Sequence, residues 1–237
     1  MNAHGRIPHA RTLWLLTACL VPVMLGASCL AAETPLVHKT FSVPELWYST
    51  HWNARGTIEL DTQEEHPIAL LLPGSIRVGA STGATVVHAG IDTWFGEHTA
   101  GIACLFFYSL SAPHRLYFLA TDTQGRWNFY HETYSTDVLC SALNLMIDDY
   151  QMYPWKRCAG LRPGAFAPNR LSVRFRSATG SSGIDRLTVT AFLNEREMIT
   201  VVTPLPSSSP LRIGFGAHAI SSDGATVFFD NLLIDTI

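Results

Sequence analysis

Two features of this 237-residue chain predict an all-β sandwich or barrel. Short apolar runs separated by turn residues recur nearly everywhere after residue 55, and no long stretch of 3.6-residue periodicity competes with them. Hydrophobic residues make up 47% and charged residues only 15%, enough apolar material for a sizeable core and too much for a disordered tail protein. One domain is expected, because all-β units of about 200 to 250 residues commonly share one core.

The first 32 residues read as an export signal. Arg6 and Arg11 form a positive leader, an apolar stretch follows at 13–25, and small residues run through Ala31 and Ala32. Cleavage there leaves a domain at 33–237, with 14 basic against 19 acidic side chains and a net charge of minus five. That balance argues against nucleic acid and anionic membrane as partners. Cys19, after Leu16-Thr17-Ala18, and Cys29, after Gly26-Ala27-Ser28, are candidate lipidation sites, with plain cleavage as the alternative. The expected location is the periplasm or the cell-envelope surface, with membrane contact only through such an anchor.

In the N-terminal third, strands are expected at 56–60, 68–72, 76–78 and 85–88, and the apolar run 102–108 holds Cys104 as a buried thiol. Residues 115–132 read as a hairpin turning at Thr121-Asp122-Thr123-Gln124-Gly125. Leu171, Val173 and Phe175 alternate with Ser172, Arg174 and Arg176, the period of a strand with one buried face; Leu187, Val189, Ala191 and Leu193 repeat the pattern. Asn194-Glu195 turns the chain into 198–202, a loop occupies 204–210, and Ser221-Ser222-Asp223-Gly224 leads from the strand at 211–217 into a last strand at 227–234. Residues 137–167 break the pattern and read as a long insertion loop with one short helical turn at 142–147. In an oxidising compartment a disulfide between Cys140 and Cys158 would close about 18 residues of that loop, worth about 3 kcal/mol. Zinc is the competing use of these cysteines, but no Cys-x-x-Cys or paired-His spacing accompanies them.

The succession of Thr99 to Phe107, LYFLATDTQGRWNFY from Leu116, Asn169-Arg170-Leu171-Ser172-Val173, VTAFLNEREMITVV from Val189, IGFGA from Ile213 and VFFDNLLI from Val227 resembles the concanavalin A-like, laminin-G-like jelly rolls of exported bacterial proteins. The resemblance covers about residues 85–237, and Glu195 departs from it, standing where Gly usually follows the turn Asn. It implies a two-sheet antiparallel jelly-roll sandwich and relatives that include sugar-binding modules, glycan-active enzymes and proteins without assigned activity. A fold of this kind does not choose among them.

Glycan recognition needs aromatic faces for the apolar side of a pyranose and polar side chains for its hydroxyls. The insertion offers Tyr150, Tyr153 and Trp155 with Asp148, Asp149, Lys156 and Arg157; Trp127, Tyr130 and Tyr134 form a second aromatic group. Along a strand Trp127 and Phe129 share one face and Tyr130 takes the other, so one set belongs to the core. A glycosidase would need two facing carboxylates, for which Glu195, Glu197 and Asp148 are the candidates, although the two glutamates sit at a hairpin turn. His98 beside Asp92, Glu97 and Trp94 is the one local cluster that mixes titratable groups with an aromatic, and no nucleophile accompanies it. Asp230 and Asn231 inside the last apolar strand admit two readings, ligands of a structural Ca²⁺ or hydrogen-bonding residues that fix the fold. No other cofactor is implied. The function expected is a non-catalytic carbohydrate-binding module. The alternatives are a glycoside hydrolase on the same fold and a structural or adhesive envelope protein that binds another protein.

Overall fold

The structure is a computed structural model and describes residues 37–63, 68–79, 86–109, 115–133, 154–179 and 185–236. The chain divides after Glu33 into two units, and all described residues belong to the second. Cys19, Cys29, Tyr134, Cys140, Asp148, Asp149, Tyr150, Tyr153 and the expected helical turn at 142–147 lie outside them.

Among the described residues, thirteen strands form two antiparallel sheets. The first sheet runs in the order β1 (Val37–Lys39), β13 (Thr226–Thr236), β4 (Val86–Phe95), β9 (Asn169–Thr179), β10 (Asp185–Leu193) and β11 (Arg196–Pro206), with β2 (Ile58–Asp61) also paired to β13. The second is β3 (Ile68–Leu71), β12 (Leu211–Ala219), β5 (Gly101–Ser109), β6 (Arg115–Asp122), β7 (Arg126–Thr133) and β8 (Lys156–Arg157). Alternation decides which face is buried. Leu171, Val173 and Phe175 of β9 and Leu187, Val189, Ala191 and Leu193 of β10 are buried, while Arg174 and Arg176 stand exposed. Phe107, Tyr117 and Phe215 of the second sheet belong to the same cluster: the Phe107 ring stacks on Tyr117 at 4.9 Å and meets the edge of Phe175 at 4.8 Å. Burying one such side chain contributes roughly 1.5 to 3 kcal/mol.

The second sheet is apolar on both faces. All nine residues of β5 are buried, and Ile102, Cys104, Phe106, Tyr108, Leu116, Phe118 and Ala120 form a second cluster on its outer side. Both aromatic sets of the β6–β7 hairpin are therefore packed: Trp127 and Phe129 in the inter-sheet core, Tyr130 against the outer cluster. Burial raises the Cys104 thiol to about 12, an inert hydrophobe.

Local chemistry explains the turns. Asp122 accepts from the Gln124 and Arg126 amides and pairs with Arg126 Nε at 2.6 Å, while Gly125 takes a positive φ of 71°. Gly214 lets three strands meet, because a Cβ there would lie 2.3 Å from Phe106 Cζ and 2.6 Å from Leu70 O.

Several boundaries differ from expectation. β4 reaches Phe95 rather than stopping near residue 88, and β11 continues through Pro204 and Pro206, which an edge strand tolerates because one row of its backbone groups is unpaired. Residues 76–78 contribute only an isolated bridge, Ile76 to Leu211. The end of the expected insertion is not all loop: Lys156 and Arg157 pair with Trp127 and Arg126 as β8. Cys158 is buried with Sγ 4.0 Å from Met198 Sδ, and its expected disulfide partner Cys140 lies outside the described residues.

Candidate functional site

The outward face of the first sheet carries polar and aromatic residues in rows set by strand register. Asp230, Asp92 and Arg170 lie side by side on β13, β4 and β9; the next row is Leu233, Gly90, Ser172 and Phe192, and the next Asp235, His88, Arg174 and Thr190. Trp94 and Phe228 form the row on the other side of Asp92.

A β-bulge builds the first of these rows. The register between β13 and β4 shifts between Asp230 and Leu233, and Asn231 adopts φ 50°. The shift re-phases the strand, so that Val227 and Phe229 before it and Leu232 and Ile234 after it all reach the core. Asp230 Oδ1 accepts from the Asn231 amide at 2.7 Å, and Asn231 Nδ2 donates to Asp92 Oδ2 at 2.8 Å. Arg170 Nη1 donates to Asp92 Oδ1 at 2.8 Å and to Asn231 O at 3.4 Å. Of the two readings of Asp230 and Asn231, this donor set fits the hydrogen-bonding one better than a calcium site. The guanidinium already supplies the positive charge, and Asn231 turns its N–H to the carboxylate, where a cation would need oxygen. Among the described residues no group of three or more His, Cys, Asp or Glu side chains is placed to hold a metal. Burial raises the Asp230 pKa above the usual carboxylate value, with the Asp92 charge adding to it and the Asn231 amide opposing.

Two asparagines quoted from the sequence motif brace the same corner. Asn194 Oδ1 accepts from the Arg170 amide at 2.7 Å, and its Nδ2 donates to Gly160 O at 2.7 Å and Asn169 Oδ1 at 2.9 Å. Asn169 is bound to the Arg162 amide and carbonyl and to Ala167 O, which holds the 160–168 loop beside the sheet. Together Asp92, Arg162, Pro168, Asn169, Arg170, Asn194 and Glu195 line a hollow of about 350 Å³.

Two neighbouring regions extend it. On one side Trp94 stacks on Phe228 at 5.8 Å, and Phe166 leans on Phe228 at 6.3 Å while 49% exposed, with φ 57°. An exposed aromatic held in the left-handed region is the kind of local cost that accompanies a binding surface. On the other side a second hollow, about 380 Å³, is lined by His88, Arg170, Ser172, Arg174, Phe192, Glu195 and Leu233. Gly90 makes room here, since a Cβ would sit 3.0 Å from Arg170 Nη2 and from Ser172 Cβ. Arg174 lies over the Phe192 ring at 4.7 Å. Burial lowers the His88 pKa; the Asp235 carboxylate, 3.8 Å away, opposes that shift, and the charges of Arg170 and Arg174 reinforce it.

Of the residues expected from sequence, those described fall elsewhere or apart, and Asp148, Asp149, Tyr150 and Tyr153 lie outside the described residues. Trp155 packs against the outer cluster of the second sheet with Arg126 over its ring at 5.7 Å, and Arg157 is exposed beside it. The His98 cluster is dispersed: Asp92 and Trp94 face outward from β4, while Glu97 and His98 sit in the exposed turn that follows. Glu195 lines both hollows, whereas Glu197 is exposed and accepts from Thr200 Oγ1. Arg170, Arg174, His88, Gly90, Phe192 and Phe166 were not singled out from sequence; the one available signal was the Ser172-Arg174-Arg176 alternation, which marks an outward face without saying what it meets. Three further concavities lie elsewhere among the described residues: about 530 Å³ with mostly apolar walls between Tyr117, Phe129, Ile199, Val201 and Pro204, about 490 Å³ beside Ile76 and Leu211, and about 640 Å³ between His51, Trp52, Asn53, Glu59 and Asp61.

No family model matches the chain, and no curated protein matches it. Solved structures do. The carbohydrate recognition domain of Emp46p in its potassium-bound form superposes with a TM-score of 0.55 at 10% identity, over 83% of this chain and 94% of that one. A protein of unknown function with a galectin-like fold from Bacillus subtilis gives 0.51 at 9%, over 86% and 97%, and the Emp47p carbohydrate recognition domain gives 0.50 at 11%, over 87% and 98%. The fold is a concanavalin A-like jelly roll. Identity this low carries the fold alone.

Proposed function

We propose that this protein is a non-catalytic carbohydrate-binding module, and that the outward face of β13, β4, β9 and β10 is its binding surface. The observation that carries the reading is the continuous stripe on that face. An aromatic shelf of Trp94, Phe228 and Phe166 adjoins a braced polar hollow and a second hollow over Gly90 and Ser172. Aromatic faces accept the C–H side of a pyranose, and fixed carboxylate, amide and guanidinium groups match its hydroxyls. The fold-level likeness to domains named carbohydrate recognition domains supports it. The leader at residues 1–32 goes with export to the periplasm or the cell-envelope surface, where glycans are the available ligands.

A glycan-array screen of the protein, followed by calorimetry on the hits, tests the reading. Phe166→Ala and Ser172→Tyr, the first removing the exposed ring of the shelf and the second filling the hollow, should each weaken binding about tenfold or more, since aromatic contacts and shape fit dominate such sites. Binding should survive chelator. Glycan binding that both variants leave intact would place the site elsewhere, and mass spectrometry of the N-terminus of the native protein tests the export reading.

A further inference from the structure

The lower half of the stripe holds a guanidinium without an ion-pair partner among the described residues, in a hollow that the Glu195 carboxylate also lines. Arg170 is matched by Asp92, but Arg174 makes no ion pair among the described residues; its guanidinium carbon lies 4.7 Å from the centre of the Phe192 ring, and the side chain lines the hollow with His88, Ser172, Glu195 and Leu233. Its register neighbours on β4 and β10 are His88 and Thr190, and Arg176, the next outward residue of β9, lies between Val86 and Thr188. None of these four is acidic. Nor does the sequence at 80–85 or 180–184, adjoining the ends of these strands, contain an Asp or Glu. The nearest carboxylate in the row, Asp235, is across His88 and 3.8 Å from that ring. A guanidinium pinned by an aromatic face keeps its planar fork of donors in one orientation, which suits bidentate recognition of a carboxylate.

Resting on the proposed glycan-binding reading, we infer that the preferred glycan is acidic: a uronate-bearing saccharide whose carboxylate meets Arg174 while its ring occupies the hollow over Gly90 and Ser172. Arg176 extends the same edge and suits a second acidic unit of an oligosaccharide. Glu195 and Asp235, at the margins, remain for hydroxyl groups.

The test is a calorimetric titration with a panel of oligosaccharides built from glucuronate, galacturonate and mannuronate, each paired with its methyl ester. Esterification removes the charge and keeps the ring. The acids should bind at least about tenfold more tightly than the esters, the size of one charge-assisted hydrogen-bonded pair. Raising salt should narrow the gap. Arg174→Gln should abolish the preference, so that acid and ester bind the variant equally, with Arg174→Lys intermediate because it keeps the charge and loses the fork. An unchanged melting temperature for both variants shows that the effect is local. Neutral sugars or esters binding as well as acids, sensitive to Ser172→Tyr but not to Arg174→Gln, would overturn the acidic preference and leave the glycan reading standing. Acid binding unaffected by Arg174→Gln overturns the assignment to this hollow. Failure of every neutral and acidic sugar would overturn both.

Discussion

Replacing Glu195 with glycine should make the protein more stable and a poorer binder at once. The β10–β11 hairpin turns on Asn194 and Glu195, whose φ angles are 48° and 68°. Two positive φ values in a two-residue hairpin turn favour Asn then Gly; Asn tolerates the left-handed region, whereas a glutamate there costs about 1 to 2 kcal/mol. Glycine removes that cost but gives back roughly 0.5 to 1 kcal/mol through its freer unfolded chain. The exposed Glu195 side chain forfeits little packing, so the expected net gain is about 1 kcal/mol, or a melting temperature higher by about 2 to 4 °C for a domain of this size. Thermal and urea unfolding read it, with an unchanged m-value showing that the surface exposed on unfolding is the same. Glu195→Gln separates the two effects, because it keeps the backbone cost and loses the charge; its stability should match the parent, while glycan affinity falls in both variants. An unchanged or lower melting temperature for the glycine variant would refute the strain argument, and unchanged affinity in both variants would remove Glu195 from the binding surface.

Other consequences can be checked on the same unfolding curves. Asn194→Ala deletes the bonds to the Arg170 amide, Gly160 O and Asn169 Oδ1 and should cost roughly 3 kcal/mol, at about 1 kcal/mol per bond. Gly90→Ala places a methyl 3.0 Å from Arg170 Nη2 and should cost roughly 1 kcal/mol while weakening glycan binding, as expected for overpacking against a fixed partner. His88 has a lowered pKa in the folded protein, so the folded state resists its protonation; stability should decline as pH falls from 7.5 through the normal histidine value, and His88→Gln should flatten that part of the profile. Asp230 has the opposite asymmetry for an acid, a raised pKa that makes its charged form the costly one above that value. Asp230→Asn should therefore stabilise the protein at neutral pH and lose its advantage in acid.

Legibility in the sequence followed the physical range of each signal. The β6–β7 and β10–β11 hairpins were readable because Gly125 and the Asn194 pair are local turn chemistry, and β9 and β10 because one face is wet and alternation survives. β5 has no alternation to read, since both its faces are dry, and β1 and β8 are edge strands of three and two residues, too short to carry a period. Asp230 and Asn231 looked like polar intruders in an apolar strand because a bulge is invisible in spacing until its partner strand is known. The proposed binding surface was hidden for the same reason: Asp92 and Arg170 are 78 positions apart and become neighbours only through the β4–β9 register. Aromatics such as Trp155 drew attention by type, yet Trp155 packs against the outer cluster of the second sheet.

The dry β5 strand has a consequence for how the chain is made. From Gly101 to Ser109 it has no charge and no proline, and it combines aliphatic with aromatic residues, the composition that adds readily to other chains as a cross-β template. In the finished protein both its edges are taken, by β6 and by β12. β6 arrives at once, through a short connection, but β12 starts only at Leu211, so an emerging chain holds one sticky edge open until most of the domain exists. Variants that slow the docking of β12, even without lowering equilibrium stability, should show first as inclusion bodies.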